Sequence, residues 1–269
     1  MPTKTELLNN LFNEWKEKYK DSPFVKDGII DESTWSNSDV KVLFLLKEAN
    51  AKSPESKKDL LNEHDVCSPS CYLDLRNLLY NYYYVKTPKR AWPIVGKLCW
   101  CCHKLKSNLL QIPFWEEAEN WLIKAAIMNI KKTPGKEKSI YEEIKDVAHK
   151  DKLNIICEIL IINPDIIICG GTWDYFFEDI LSYKKQEIPF GPVIGIKIKE
   201  LVKIIPKEDR SKIELPISAI DEEKIIDIIR FLHPSMPGVY HFIQLSAFSV
   251  IYSNYLTNKN KDGITAERS

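Results

Sequence analysis

Leu7, Leu8, Leu11, Phe12, Trp15 and Tyr19 recur at three- and four-residue intervals, which lays an apolar stripe along one side of a helix. The pattern predicts an amphipathic helix over residues 5–20, with Thr5 as its cap. Residues 21–39 are polar and turn-rich. Lys41–Leu46 then reads as a short buried strand, and residues 51–70 as a polar loop with a helical piece. Residues 72–110 read as mostly helical, broken near Pro88 and Pro93. Phe114–Leu122 is expected to be a helix feeding a strand at Lys124–Ile130. Ser139 is placed to cap a helix reaching about Ile161, with Glu142 and Glu143 near its positive end. Asn163-Pro164-Asp165 turns the chain into a strand, Ile166–Cys169, closed by Gly170-Gly171-Thr172. Trp173–Leu181 is helical in pattern. The β-branched residues of 188–206 predict one or two strands. Asp221–Ile228 fits helix or strand, its last residues becoming a strand that runs into His233. Val239–Leu256 predicts a closing helix, and residues 258–269 a flexible tail.

Strands alternating with helices imply a mainly parallel sheet covered on both faces. The expected fold is a single three-layer α/β/α domain over residues 1–257, with a central mainly parallel sheet of four or five strands. A basic helical insertion at about 72–113 is expected within it. At 269 residues and 44% hydrophobic content, the chain is long enough to bury a substantial core. No apolar run approaches the roughly 18 residues of a membrane-helix candidate. The first residues lack the basic-then-apolar order of a signal peptide. Seven cysteines, an odd number with some nearly adjacent, suit reduced thiols better than a disulfide framework. These features together predict a cytoplasmic protein.

Charge changes the picture through its distribution. The formal net charge is zero, which predicts no whole-molecule attraction to nucleic acid. Between Asp74 and Glu116, however, there is no acidic residue. Cations including Arg76, Lys89, Arg90 and Lys97 are interleaved there with Tyr80, Tyr82, Trp92, Trp100 and other aromatics. Cations for phosphates beside aromatic faces for bases form a recurring nucleic-acid surface. The same composition also suits a basic helical insert whose aromatics pack inward.

Two strand-end segments carry the candidate chemistry. Val42-Leu-Phe-Leu-Leu-Lys-Glu-Ala-Asn50 and Phe231-Leu-His-Pro-Ser-Met-Pro-Gly238 are apolar runs that break into short polar loops. Loops at the carboxyl ends of neighbouring parallel strands share one crevice. The first brings Glu48, the second His233. An acid and an imidazole facing one crevice suit general acid–base chemistry and the stabilisation of developing charge. Glu48 is the candidate carboxylate and His233 the candidate donor. Asn129 adds an amide that both donates and accepts.

The segments 44–50 (Phe-Leu-Leu-Lys-Glu-Ala-Asn), 127–135 (Ile-Met-Asn-Ile-Lys-Lys-Thr-Pro-Gly), 163–171 (Asn-Pro-Asp-Ile-Ile-Ile-Cys-Gly-Gly) and 232–237 (Leu-His-Pro-Ser-Met-Pro) resemble, in that order, motifs of the uracil-DNA glycosylase superfamily. The first is similar to the Gly-Glu-Ala-Pro-Gly loop of its iron–sulfur branch, the last to its His-Pro-Ser loop. Lys47, Asn50 and Ala51 stand where that loop has Gly, Pro and Gly. The branch's cluster cysteines are not in place, and Thr133 stands near where one is expected. The resemblance implies a monofunctional DNA glycosylase, a hydrolase that removes a flipped-out damaged or modified pyrimidine and leaves an abasic site. Its setting would be base-excision repair or defence against phage with modified DNA. Asn129, Asn50 and Tyr72 would then recognise the base. Lys47, Lys131, Lys132, Lys89, Arg90, Ser235 and Met236 would contact DNA, with Met236 as an apolar wedge in the vacated stack. The alternative is a binding member of the same fold that recognises DNA or a protein without chemistry.

Cofactors are not expected. Cys67, Cys71, Cys101 and Cys102, with His64 and His103, supply ligand types for zinc or an iron–sulfur cluster, but their spacing matches no ribbon or finger. Buried thiols packing the insert are the expected outcome. No Gly-x-Ser-x-Gly elbow and no phosphate-cradling glycine loop is present, so an α/β hydrolase or a nucleotide cofactor lacks support. DNA is the expected partner, a membrane is not, and the expected state is a monomer.

Overall fold

A computed structural model of the chain describes residues 2–20, 22–50, 72–82, 92–104, 120–135, 139–188, 191–210, 221–234 and 241–266. Helix α1, Lys4–Lys16, has its cap two residues earlier than expected, at Thr3 rather than Thr5. The Thr3 hydroxyl accepts from Glu6 N at 3.1 Å, and Thr3 N donates back to the Glu6 carboxylate at 2.7 Å. This reciprocal pair satisfies two otherwise orphaned donors. The predicted stripe Leu7, Leu8, Leu11, Phe12 and Trp15 is buried.

The turn-rich reading of 21–39 gives way to strands β1, Phe24–Lys26, and β2, Gly28–Ile29, and a short helix α2, Glu32–Ser36. Two- and three-residue strands are too short to show alternation, so periodicity misses them. Strand β3, Val42–Asn50, continues through what the sequence reads as a loop. Strand β4, Tyr72–Asp74, leads into helix α3, Leu75–Tyr82, followed by helix α4, Trp92–Lys104. Strand β5, Ala125–Gly135, outruns its expected end by five residues.

The single helix expected over 139–161 is two, α5 (Tyr141–Lys150) and α6 (Lys152–Ile162). They meet at Asp151, a fully buried carboxylate that accepts from the Tyr19 hydroxyl. Helix α6 ends where Asn163 takes a left-handed conformation, φ 52°, a state asparagine tolerates and the following proline reinforces. Strand β6, Ile166–Gly170, then leads into a π-helix, Tyr175–Ile180. Among the described residues of 188–206 one strand forms, β7, Val193–Lys197, followed by helix α7, Ile198–Ile204. Helix α8, Lys207–Arg210, and strand β8, Ile225–Phe231, follow. The last helix, α9, runs from His241 to Ala266, through the segment expected to be a tail.

The main sheet has the order β2-β5-β3-β6-β8-β7. Its centre β5-β3-β6-β8 is parallel, and the outer β2 and β7 pair antiparallel. Six strands thus replace the expected four or five, because two short antiparallel strands close the edges. β1 pairs with β4 in a separate parallel ribbon. One sheet face packs Leu43, Leu45, Met128 and Ile167 against α1, α6 and the π-helix. The other packs Phe44, Leu46, Ile127 and Ile229 against α3, α4 and α9. The mainly parallel sheet with helices on both faces is the expected class. Among the described residues no helix is long and apolar enough to cross a membrane.

Candidate active site

The parallel core places the carboxyl ends of β5, β3, β6 and β8 along one edge of the sheet. From β3 the chain crosses to β5 on one side, then returns over β3 to β6 on the other. Such a reversal leaves a crevice outside the carboxyl ends of the two central strands, where open α/β sheets bind ligands. Lys47 and Glu48 lie at the end of β3, Gly170 and Gly171 at the end of β6, and His233 two residues beyond β8.

Short hydrogen bonds stitch this edge. The Thr172 hydroxyl, fully buried, donates to Leu45 O at 2.8 Å. Gly171 N donates to Phe231 O at 2.9 Å. Gly171 has φ +70°, and a methyl added there would meet His233 Cβ at 3.6 Å and Lys47 Cε at 3.7 Å. Lys47 and His233 therefore pack over the same glycine. A methyl on Gly170 would stand 2.7 Å from Leu46 Cδ2 and 3.3 Å from Pro234 Cδ, so a side chain there would have to displace the tip of Leu46. His233 is partly buried, and burial first, then the Lys47 ammonium, pulls its pKa down to about 4. Its imidazole is neutral at pH 7, keeping one N–H donor.

Glu48 leans the other way, toward β5. It pairs in register with Lys131, just before an irregularity that brings Asn50 opposite Gly135. Lys131 Nζ lies 2.9 Å from Glu48 Oε2 and 3.1 Å from Glu143 Oε2, and the Glu48 side chain is only 3% exposed. Burial pulls the Lys131 pKa down, but the bonds to Glu48 and Glu143 outweigh it and hold it above the usual value. A methyl on Gly135 would fall 2.0 Å from Glu48 Cδ, so the missing side chain at 135 is what admits the carboxylate.

The structure gathers Lys47, Glu48, Lys131 and His233 at one sheet edge and takes two other candidates elsewhere. Asn129, 2% exposed, donates through both its backbone N (2.7 Å) and Nδ2 (3.0 Å) to Asp27 Oδ2. Lys132 has no exposed side-chain surface; it bonds Asp27 and lies 2.7 Å from Glu158 Oε2. That burial removes it from phosphate contact. Asp27, which holds both residues, carries no sequence signal, because nothing in local spacing links positions 27 and 129. The signal for Gly135 was its place in the Thr-Pro-Gly segment.

The backbone of Tyr72 belongs to the β1–β4 ribbon and that of Asn50 to the end of β3; their side chains lie outside the described residues. So do Lys89, Arg90, Ser235, Met236, Cys67 and Cys71. Cys101 and Cys102 are buried; burial raises the Cys101 thiol to about 11 and the Cys102 thiol well above its usual value. Among the described residues no group of three His, Cys, Asp or Glu side chains is arranged to hold a metal ion. Comparison with protein-family models, with curated proteins and with solved structures gives no match.

Proposed function

We propose that the protein is a DNA glycosylase that hydrolyses the N-glycosidic bond of an extruded damaged or modified pyrimidine. The observation that supports this reading most is the arrangement around the end of β3. One carboxylate, Glu48, and one neutral imidazole, His233, flank the switch point of a parallel sheet, separated by the glycine end of β6. In this reading C1′–N1 breaks with the electron pair leaving on the base. The His233 N–H hydrogen-bonds the carbonyl oxygen where that charge gathers. Glu48 faces the oxocarbenium-like sugar and takes a proton from the water whose oxygen bonds C1′. A neutral donor suffices for His233, because the base leaves as an anion that water later protonates.

The test is a panel of duplexes carrying uracil or hypermodified cytosines, incubated with the protein and then treated with alkali to cut abasic strands. Cleavage at one or more bases is expected. Replacing Glu48 by Gln or His233 by Ala should lower the rate by about 10²-fold or more. Intact strands for every base would overturn the reading. The commitment of Glu48 to Lys131 and of Asn129 to Asp27 favours a second reading, recognition of DNA or protein without excision. Binding that survives E48Q and H233A, with no cleavage by the unaltered protein, would select it.

A further inference from the structure

At the opposite, amino-terminal edge of the sheet lies a cavity of about 340 Å³ lined by Ser38, Asp39, His103, Lys104, Trp121 and Lys124. Asp39 precedes β3, Lys124 immediately precedes β5, and His103 and Lys104 end α4, so the wall is carried by three separate elements. Two ammoniums crowd one ring here. Lys124 Nζ lies 4.0 Å and Lys104 Nζ 5.6 Å from the Trp121 centroid. Among the described residues neither has a carboxylate within ion-pair distance. The His103 ring stands 4.9 Å from the same indole, and its Nε2 is buried with no hydrogen-bond partner among the described residues. The orphaned buried nitrogen is costly to leave unmade, while exposed Lys104 and half-buried Lys124 bring two like charges to one indole. An oxyanion in the cavity would accept from all three groups.

We propose that this cavity is a binding site for inorganic phosphate in its protonated dianion form, held by Lys104, Lys124 and His103 and selected by Asp39. The Asp39 carboxylate supplies the selection. A fully ionised oxyanion such as sulfate presents only acceptors and is repelled by it. Hydrogen phosphate keeps one P–OH that donates to the carboxylate, while its other oxygens accept from the ammoniums and from an imidazole N–H. Burial first, then the Lys124 ammonium, draws the His103 pKa down to about 4, so its neutral ring adds a hydrogen bond rather than charge. The site is separate from the glycosylase reading and stands or falls independently of it.

Isothermal titration of the protein at pH 7 and constant ionic strength, with sodium phosphate and with sodium sulfate, tests the assignment. Saturable phosphate binding at one site is expected, about tenfold or more tighter than sulfate. Lys104→Gln and Lys124→Gln should each weaken it by about tenfold. Asp39→Asn should bring phosphate and sulfate to similar affinity. Asp39 and Lys104 are exposed, so these variants should fold, and circular dichroism checks that they do. Absence of phosphate binding, or equal affinity for the two anions in the unaltered protein, overturns the proposal. So does a single-stranded oligonucleotide that binds through the same lysines where phosphate does not, which would make the site a strand-backbone contact.

Discussion

Gly135 shows how much one missing methyl group can do. A Cβ there would overlap the Glu48 carboxylate at 2.0–2.4 Å, and the overlapped atoms are the tip of a flexible side chain rather than backbone. Gly135→Ala should therefore leave the fold intact and push Glu48 away from Lys131. Thermal unfolding is expected to shift by no more than a few degrees, while excision falls by about tenfold or more, because small misplacements of a reacting group are costly. Excision unchanged beside an unaltered melting curve would show that the position of Glu48 is immaterial. Glu48 and His233 were legible in the sequence because each follows an apolar run at a strand end. Their immediate partners were not. Lys131 could be placed near Glu48 only through strand register, and Gly171 near His233 only through the path of β6 beside β8.

At the scale of elements, three parts of the chain meet in a buried charged cluster. Asp27 between β1 and β2, Lys132 on β5 and Glu158 on α6 are almost wholly excluded from solvent, with Phe12 and Trp15 of α1 around the ammonium. Burial drives the Glu158 pKa well up; Lys132 opposes the shift and Asp27 adds to it. One lysine thus serves two buried carboxyl groups, and burial favours the protonated form of Glu158. Lys132→Met leaves both carboxyl groups buried without their cation and should destabilise the protein by about 3–5 kcal/mol. Glu158→Gln mimics the protonated form that burial favours and should cost about 1 kcal/mol or less. Urea unfolding of both variants checks the pair; equal losses would refute the assignment of the proton to Glu158. Periodicity reveals α1, whose buried face repeats along the chain; α6, buried at every residue from Ile155 to Ile162, reads in the sequence only as the end of one longer helix. Periodicity misses β1 and β2, which exist only because β4 and β5 offer them ladders.

For the whole molecule, two partly buried histidines among the described residues weaken stability in acid. His233 and His103 both have folded pKa values near 4, below the usual 6.5. The unfolded chain therefore binds more protons between these values, and the stability they contribute is present above about pH 6.5 and lost as pH falls toward 4. Unfolding free energy measured by urea denaturation should decline across that window. The decline should be shallower in His233→Asn and in His103→Asn. A flat profile from pH 6.5 to 4.5 would contradict both shifts. Excision, if it depends on a neutral His233, should persist to about pH 5 and fall as the imidazole charges.

The amino-acid order alone determined the class of the fold, since hydrophobic period and turn residues are local quantities. The same is true of the two strand ends that carry an acid and an imidazole. Which strands became neighbours was decided only by tertiary packing. It added the antiparallel edges, drew Asn129 and Lys132 inward to Asp27, and set Lys47 and His233 over Gly171. Those pairings join residues far apart in the chain, where only burial of both sheet faces chooses the register. The free energy that selects them belongs to the assembled layers and to no single stretch of sequence.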